Sequence, residues 1–388
     1  MSHENISKLV SSYEHDDAAQ LVLVIESLED IQIALKANRL SQTRGALIML
    51  DYLAETLLLR HVRTCFARGE ARGPSRQRVF LTKERAVLER SFPAKLDLSA
   101  GIGDLGEGVP PIIDVDQHAA LGLAHAHRNA VYHRDRHKEG VLLLLVTLQL
   151  DAISKLWPAV TPNWTLAGLR EGHFVETLAR YGVGPEDRDM SRRAINLPDA
   201  ARRVADRITE GLRLPIEGVA ATLAWDLLER AEVASGAVRE LIEGGMEPHR
   251  INFVFANHEF WDRHGADPKL IELSQRSDHW LRRDEADEHH RFPREVEVDM
   301  ARANNERNER VVELQKEFQP RATLRTVDKV NDFAERIAEI SSMAELLSTY
   351  RELDESLDAL EAVVPEAVRT WDKMVEDAVD EAREARVG

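Results

Sequence analysis

Residues 46–60, ALIMLDYLAETLLLR, decide the fold class of this 388-residue chain. Ala, Leu, Glu and Arg are strong helix formers, and they dominate both this stretch and the chain as a whole. Apolar residues occupy most sides of the helix that it predicts, so we expect that helix, which extends to about Arg68, to be central and buried. Residues 141–156, VLLLLVTLQLDAISKL, predict a second core helix. The sequence therefore predicts an all-α protein.

Prolines divide the later part of the chain into segments of helix length. We expect helices at 199–213, 217–243, 295–318, 326–363 and 366–386. The sparse apolar positions of the last two predict a long helical hairpin or a coiled-coil seam. The stretch 158–163 predicts a domain boundary. It would separate a helical domain at 1–160 from a second one at 161–388, whose function is unknown and would be sensing, partner binding or oligomerisation.

Composition excludes several classes of protein. The chain is 43% hydrophobic, which is enough for a real core, and its formal net charge of −17 excludes a globally basic protein that wraps nucleic acid. The single cysteine, Cys65, excludes a disulfide framework and a Cys-based zinc site within one chain. The polar N-terminal stretch 1–17 lacks the layout of a signal peptide, and the longest apolar run, 141–150, is about half of what a bilayer requires. We therefore expect a cytoplasmic protein that does not bind membranes.

A basic, histidine-rich cluster stands out within this acidic chain. Five of the fifteen histidines lie between positions 118 and 137, and four cations lie among them or directly after them. The histidines are His118, His125, His127, His133 and His137, and the cations are Arg128, Arg134, Arg136 and Lys138. Such a local excess of positive charge predicts an anionic ligand, and arginine binds phosphate oxygens in pairs. Residues 60–90 add nine Lys or Arg against three Glu, which predicts either a track for an RNA backbone or a solvated helical face.

The spacing within the cluster is suited to phosphodiester chemistry. Asn129 and His133 are four residues apart and therefore share a helix face, where the long side chain of Arg128 can converge with them. Together they offer a phosphate clamp and a group that moves protons near neutral pH. Cleavage of an RNA backbone requires a base for the 2′-OH and a cation for the charge that develops on the phosphate oxygens. The reaction needs no metal or cofactor, and we expect none.

The pattern Arg-Asn-x-x-x-His occurs only at Arg128–His133. This motif, R-N-A-V-Y-H leading into the apolar helix predicted at 141–156, resembles the R-(polar)-x-x-x-H signature of HEPN domains (higher eukaryotes and prokaryotes nucleotide-binding domains). The helix at 46–60 is also similar to an earlier helix of that family, which is apolar with acidic residues embedded in it. The resemblance covers residues 16–157 at most, and the charged tail after His133 and the glycine-rich insert at 101–108 depart from the family pattern.

The resemblance implies a HEPN-like bundle at 1–160 that acts as a metal-independent endoribonuclease in a toxin–antitoxin, anti-phage defence or RNA-processing system. By motif position, Arg128, Asn129 and His133 would line a cleft between two protomers of a homodimer or higher homo-oligomer. An acidic residue of the earlier helix, Asp51 or Glu55, would support them. We also expect support from the neighbouring residues of the motif, namely Tyr132, Arg134 and His127. RNA is the expected partner, with an antitoxin or another defence protein as a second one.

Two other functions fit the same sequence. In the first, the chain is a non-catalytic helical scaffold whose C-terminal helices recruit other proteins, because some HEPN proteins have lost catalysis. In the second, the Arg/His pocket binds a nucleotide and regulates another activity. A metal site built from His125, His127, His133 and His137 is disfavoured, because no H-E-x-x-H arrangement accompanies these histidines.

Overall fold

A computed structural model describes the backbone of most of the chain. The described residues are 21–37, 39–70, 78–134, 139–161, 165–167, 173–183, 194–212, 214–273 and 294–387. Within them, side chains are not described at 131–134, 139–140, 165–167, 173–175, 194–195, 294–301, 381–382 and 384–387. All statements below concern the remaining part.

The described residues lie mostly in helices. The helices are α1 (21–37), α2 (Leu40–Glu70), α3 (Thr82–Arg90), α4 (Phe92–Ala100), α5 (Gly103–Gly106), α6 (Val115–Arg134), α7 (Glu139–Val160), α8 (His173–Ala179), α9 (Leu197–Ile208), α10 (Ile216–Glu243), α11 (Pro248–His264), α12 (268–273), α13 (Arg294–Glu317), α14 (Arg325–Arg336) and α15 (Met343–Val387), with a 3₁₀ turn at Ile337–Glu339. Two strands of three residues, β1 (Thr165–Ala167) and β2 (Ala194–Asn196), pair antiparallel with Leu166 opposite Ile195. The predicted all-α class is confirmed, and this small ladder does not alter it.

Contacts divide the chain into two compact units. The first comprises residues 1–226 and 337–349, and the second comprises residues 227–336 and 350–388. In the first unit α7 packs against α2, α6 and α9, which explains why α9 belongs with the N-terminal helices. The contacts therefore divide the chain later than the boundary predicted at 158–163.

The core of the first unit is formed by the two apolar helices that the sequence singles out. Leu47, Leu50 and Leu58 of α2 and Val146 and Leu150 of α7 have no exposed surface. Helix α2 also packs against α3, α4 and α6. Residues of several helices therefore lie against this one long helix. This packing positions the candidate site described below.

The second unit is organised around buried charge as well as apolar contacts. Arg230 of α10 donates to Asp354, Asp358 and Glu361 of α15 over 2.6, 2.7 and 2.7 Å. Burial would lower the pKa of Arg230, but hydrogen bonding to Glu361 and the charges of all three carboxylates raise it above its ordinary value. The three acceptors are spaced along one face of α15 at intervals of four and three residues, as helical geometry requires.

The helical hairpin predicted at 326–363 and 366–386 is wrong. Helix α15 continues through Pro365, and the break lies instead between Arg336 and Met343. Proline inside a helix costs about 3 kcal/mol because it lacks an N–H donor and its ring crowds the preceding turn. Leu360, Val363 and Ala367 are buried on both sides of Pro365, and their burial offsets that cost.

One described helix, α7, is long and apolar enough to cross a membrane at 141–160. Of that window, 78% is buried inside the protein, which is typical of the core helix of a water-soluble protein. The finding is therefore consistent with a soluble chain.

A buried histidine makes stability depend on pH. Burial and the charge of Arg68 lower the pKa of His61 from 6.5 to about 4, and its Nε2 lies 3.4 Å from the Cys65 thiol. Between pH 6.5 and pH 4, His61 is protonated in the unfolded chain but not in the native chain. The free energy of unfolding therefore falls by about 3 kcal/mol as the pH is lowered from 6.5 to 4.

We expect His61→Gln to remove that slope from the free energy of unfolding, measured in urea between pH 7.5 and pH 4. His249→Gln is the matched control, because the His249 side chain is 74% exposed and its loss should leave the slope unchanged. Equal slopes for the wild type and His61→Gln would contradict this account.

Candidate active site

Asp51 is the buried carboxylate around which the candidate site is built. Its side chain is only 2% exposed, and a buried carboxylate is costly unless it is paired. Two residues of α6 supply the pairing: the Nδ1 of His125 lies 2.9 Å from Oδ1, and the Nε of Arg128 lies 3.4 Å from Oδ2. The contact joins α2 to α6 across 74 positions of sequence.

Asn129 closes this arrangement into a ring of four side chains. Its Nδ2 lies 3.1 Å from the Nε2 of His125, and its Oδ1 accepts from the Nη1 of Arg128 at 2.8 Å. Each member of the ring therefore contacts two others, and three of the four come from two consecutive turns of α6. The ring fixes the guanidinium of Arg128 while leaving 31% of that side chain exposed.

Helix α4 contributes the residues that surround the ring of four side chains. The phenyl group of Phe92 stacks on the imidazole of His125, with centroids 3.9 Å apart and planes only 3° from parallel. One turn later Lys95, which is 1% exposed, donates to Glu55 of α2 over 2.6 Å. His125 is thus held by a carboxylate at its edge and an aromatic face against its plane.

The structure brings together three of the predicted site residues and places others elsewhere. Arg128 contacts both Asp51, at 3.4 Å, and Asn129, at 2.8 Å. Glu55 pairs with Lys95 instead. His127 is buried, although a surface position is the simplest expectation for it. It is two residues from His125 and so lies on a different side of α6.

The remaining predicted residues fall where side chains are not described. The backbone of α6 extends to Arg134 and thus includes residues 132, 133 and 134. His133 follows Asn129 by one helical turn, so the two share a face of α6. The side chains of Tyr132, His133 and Arg134, and all of His137, lie outside the described part of the chain.

His125 is the member of the site that sequence reasoning missed. A usable signal was present, because residues 125, 129 and 133 follow one another at intervals of four and therefore share one face of α6. The sequence could not show that Asp51 faces that row, since this depends on how α2 packs against α6.

The basic stretch at 60–90 is partly neutralised where it is described. Arg78 pairs with Glu84 and Arg85 pairs with Glu70, and the two guanidinium groups also lie over the rings of Phe80 and Phe66. These contacts favour the solvated helical face over an RNA track for these two arginines.

The described residues contain no group of three or more His, Cys, Asp or Glu placed to hold a metal ion. No family model matches the chain, and neither the curated proteins nor the solved structures contain a significant match. Family membership and activity therefore rest on the residues themselves.

Proposed function

We propose that this chain is a metal-independent endoribonuclease of the HEPN type. The observation that carries the proposal is the contact of Arg128 with the buried Asp51 and with Asn129, which lies one helical turn before His133 on the same helix. A partly exposed arginine side chain held in place by a buried carboxylate is suited to binding a phosphate, because its orientation is fixed before the ligand arrives.

The proposed reaction is a transesterification within the RNA backbone. His133 accepts the proton of a 2′-OH, the 2′ oxygen attacks the adjacent phosphorus, and the bond from phosphorus to the 5′ oxygen breaks. Arg128 stabilises the negative charge on the equatorial phosphate oxygens, and Asn129 orients Arg128. A protonated imidazole returns a proton to the leaving 5′ oxygen. The products are a 2′,3′-cyclic phosphate and a 5′-OH end.

We also propose an oligomeric state and a cellular context for this chain. Two protomers would each contribute an Arg128–His133 set to one cleft, and the chain would work in the cytoplasm within a toxin–antitoxin or anti-phage defence system. The second unit would then sense a trigger or bind the antitoxin. Arg128 and Asn129 are each partly exposed, which supports a site that a ligand can reach rather than one within the core.

The test is incubation of the purified wild-type protein with total RNA in EDTA, followed by mapping of the fragment ends. We expect cleavage to persist in EDTA and to leave 2′,3′-cyclic phosphate and 5′-OH ends. Since contaminating ribonucleases leave similar ends, the His133→Ala protein, purified in parallel, is the control. RNA that stays intact with the wild type at micromolar protein, with or without Mg²⁺, would contradict the proposal.

One observation favours the scaffold as a second candidate. Near the end of α15, Met374, Val375 and Val379 are each more than 40% exposed, and they line a cavity of about 400 Å³ together with Arg250 and Trp371. Exposed apolar side chains in a row along one helix are typical of protein-binding surfaces. Intact RNA in the assay above would favour this second function.

A further inference from the structure

The hydrogen-bond partners of His125 are compatible with only one protonation state of its imidazole. The Oδ1 of Asp51 can only accept a hydrogen bond when the carboxylate is ionised, so the His125 Nδ1 that lies 2.9 Å from it must carry the proton. At the other end of the imidazole, Nε2 faces the side-chain amide of Asn129 at 3.1 Å.

The orientation of the Asn129 amide follows from Arg128. A guanidinium has donors only, so the atom of Asn129 that lies 2.8 Å from the Arg128 Nη1 must be the carbonyl oxygen. The amide nitrogen then faces His125 and donates, which requires an unprotonated Nε2. The ring of four side chains is therefore self-consistent with the Nδ1–H form of His125. In the Nε2–H form two donors would face each other.

We infer that His125, fixed by Asp51 and stacked on Phe92, is a positioning residue that sets the amide orientation of Asn129 and through it the guanidinium of Arg128. This inference rests on the proposed ribonuclease function. His125 acts through Asn129 and contacts no substrate in this role. Reversal of the Asn129 amide would place its NH₂ against Arg128, and the guanidinium would lose one of the contacts that orient it.

A purely structural role for His125 makes a different prediction. If stacking on Phe92 were all that mattered, phenylalanine at position 125 would replace the imidazole, because it keeps an aromatic face. If hydrogen bonding to Asn129 matters, glutamine should substitute in part, since its side chain reaches the same position and offers a carbonyl oxygen as acceptor and an NH₂ as donor.

The experiment measures kcat and KM on a fluorescein-labelled RNA oligonucleotide in EDTA for the wild type, His125→Ala, His125→Phe and His125→Gln. We expect kcat to fall by about 10²-fold in the Ala and Phe proteins, because small misplacement of a catalytic group has effects of that size. His125→Gln should recover several-fold over His125→Ala, and KM should change less than kcat. Thermal unfolding of each protein shows that it is folded.

Three kinetic outcomes would overturn the inference. Full activity of His125→Phe would show that His125 only packs against Phe92. Full activity of His125→Ala would show that it has no role in cleavage. A His125→Gln protein as inactive as His125→Ala would exclude action through Asn129. Absence of cleavage by the wild type would remove the proposed function together with this inference, whereas loss of cleavage in Arg128→Ala with an active His125→Phe would remove the inference alone.

A spectroscopic measurement tests the ring without reference to activity. In the wild-type protein labelled with ¹⁵N-histidine, long-range ¹H–¹⁵N correlation distinguishes the two neutral forms of each imidazole, and His125→Gln assigns the signal of residue 125. We expect a protonated Nδ1 and an unprotonated Nε2 at pH 7.5. A signal for the Nε2–H form, or for a doubly protonated ring, would contradict the inference even if no substituted protein cleaved RNA.

Discussion

Replacement of His133 by alanine is expected to slow RNA cleavage by about 10²–10⁴-fold, which is the usual contribution of a general acid or base. His133 is the proposed proton acceptor, and alanine offers no group for that step. The rate is measured in EDTA on the labelled oligonucleotide and compared with that of His249→Ala. His249 is an exposed histidine on α11, and its replacement should leave the rate at the wild-type value.

Arg128→Ala belongs to the same prediction and should cost about 10²–10³-fold, the range for loss of one group that stabilises charge in a transition state. Arg128→Lys should be intermediate at best, because an ammonium group is a point charge and lacks the planar fork that binds Asp51 and Asn129 together. Thermal unfolding of both proteins separates loss of chemistry from loss of fold, since Asp51 keeps His125 as a partner. Cleavage that survives both His133→Ala and Arg128→Ala would end the assignment.

The largest expected effect on stability comes from Arg230→Ala in the second unit. Removal of one partner of a buried ion pair costs about 3–5 kcal/mol, because the remaining charge is left uncompensated. Arg230 is 14% exposed and the side chains of Asp354 and Asp358 are 9% and 13% exposed, so these two carboxylates would lose their shared cation in a place that water reaches poorly, whereas Glu361 is 32% exposed. Chemical unfolding should show the loss as a lower midpoint.

Arg351→Ala is the matched control for Arg230→Ala. Arg351 pairs with Glu355 on the same helix, but its side chain is 50% exposed, and such surface pairs contribute at most about 1 kcal/mol. A loss for Arg230→Ala no larger than that for Arg351→Ala would show that the three carboxylates are solvated or protonated without much cost.

Most helices could be predicted from the sequence because local periodicity and composition determine them. Helices α10 and α13 lie within one residue of their predicted bounds, and α2, α7 and α9 lie within about six. Pro365 was the clearest failure. Proline usually ends a helix, but burial of the residues on both sides keeps α15 continuous, and that burial depends on other helices.

The candidate site was also predicted only in part from the sequence. The sequence places Arg128, Asn129 and His133 on one helix and gives Asn129 and His133 a common face, because that depends only on helical spacing. It also offers Asp51 and Glu55 as acidic partners without distinguishing between them. The structure pairs Asp51 with the motif and Glu55 with Lys95, since α4 approaches α2 at Glu55.

By itself, then, the sequence determined the helical class of the protein, the extent of most helices and the residues that share a face of α6. These properties depend on neighbours a few positions away in the chain. Only the tertiary structure decided that Asp51 meets His125 across 74 positions, that Phe92 stacks on that imidazole and that Arg230 binds three carboxylates of α15. Such pairs depend on the rotation and register of one helix against another, which are set by the packing of whole helix surfaces rather than by any single stretch of sequence.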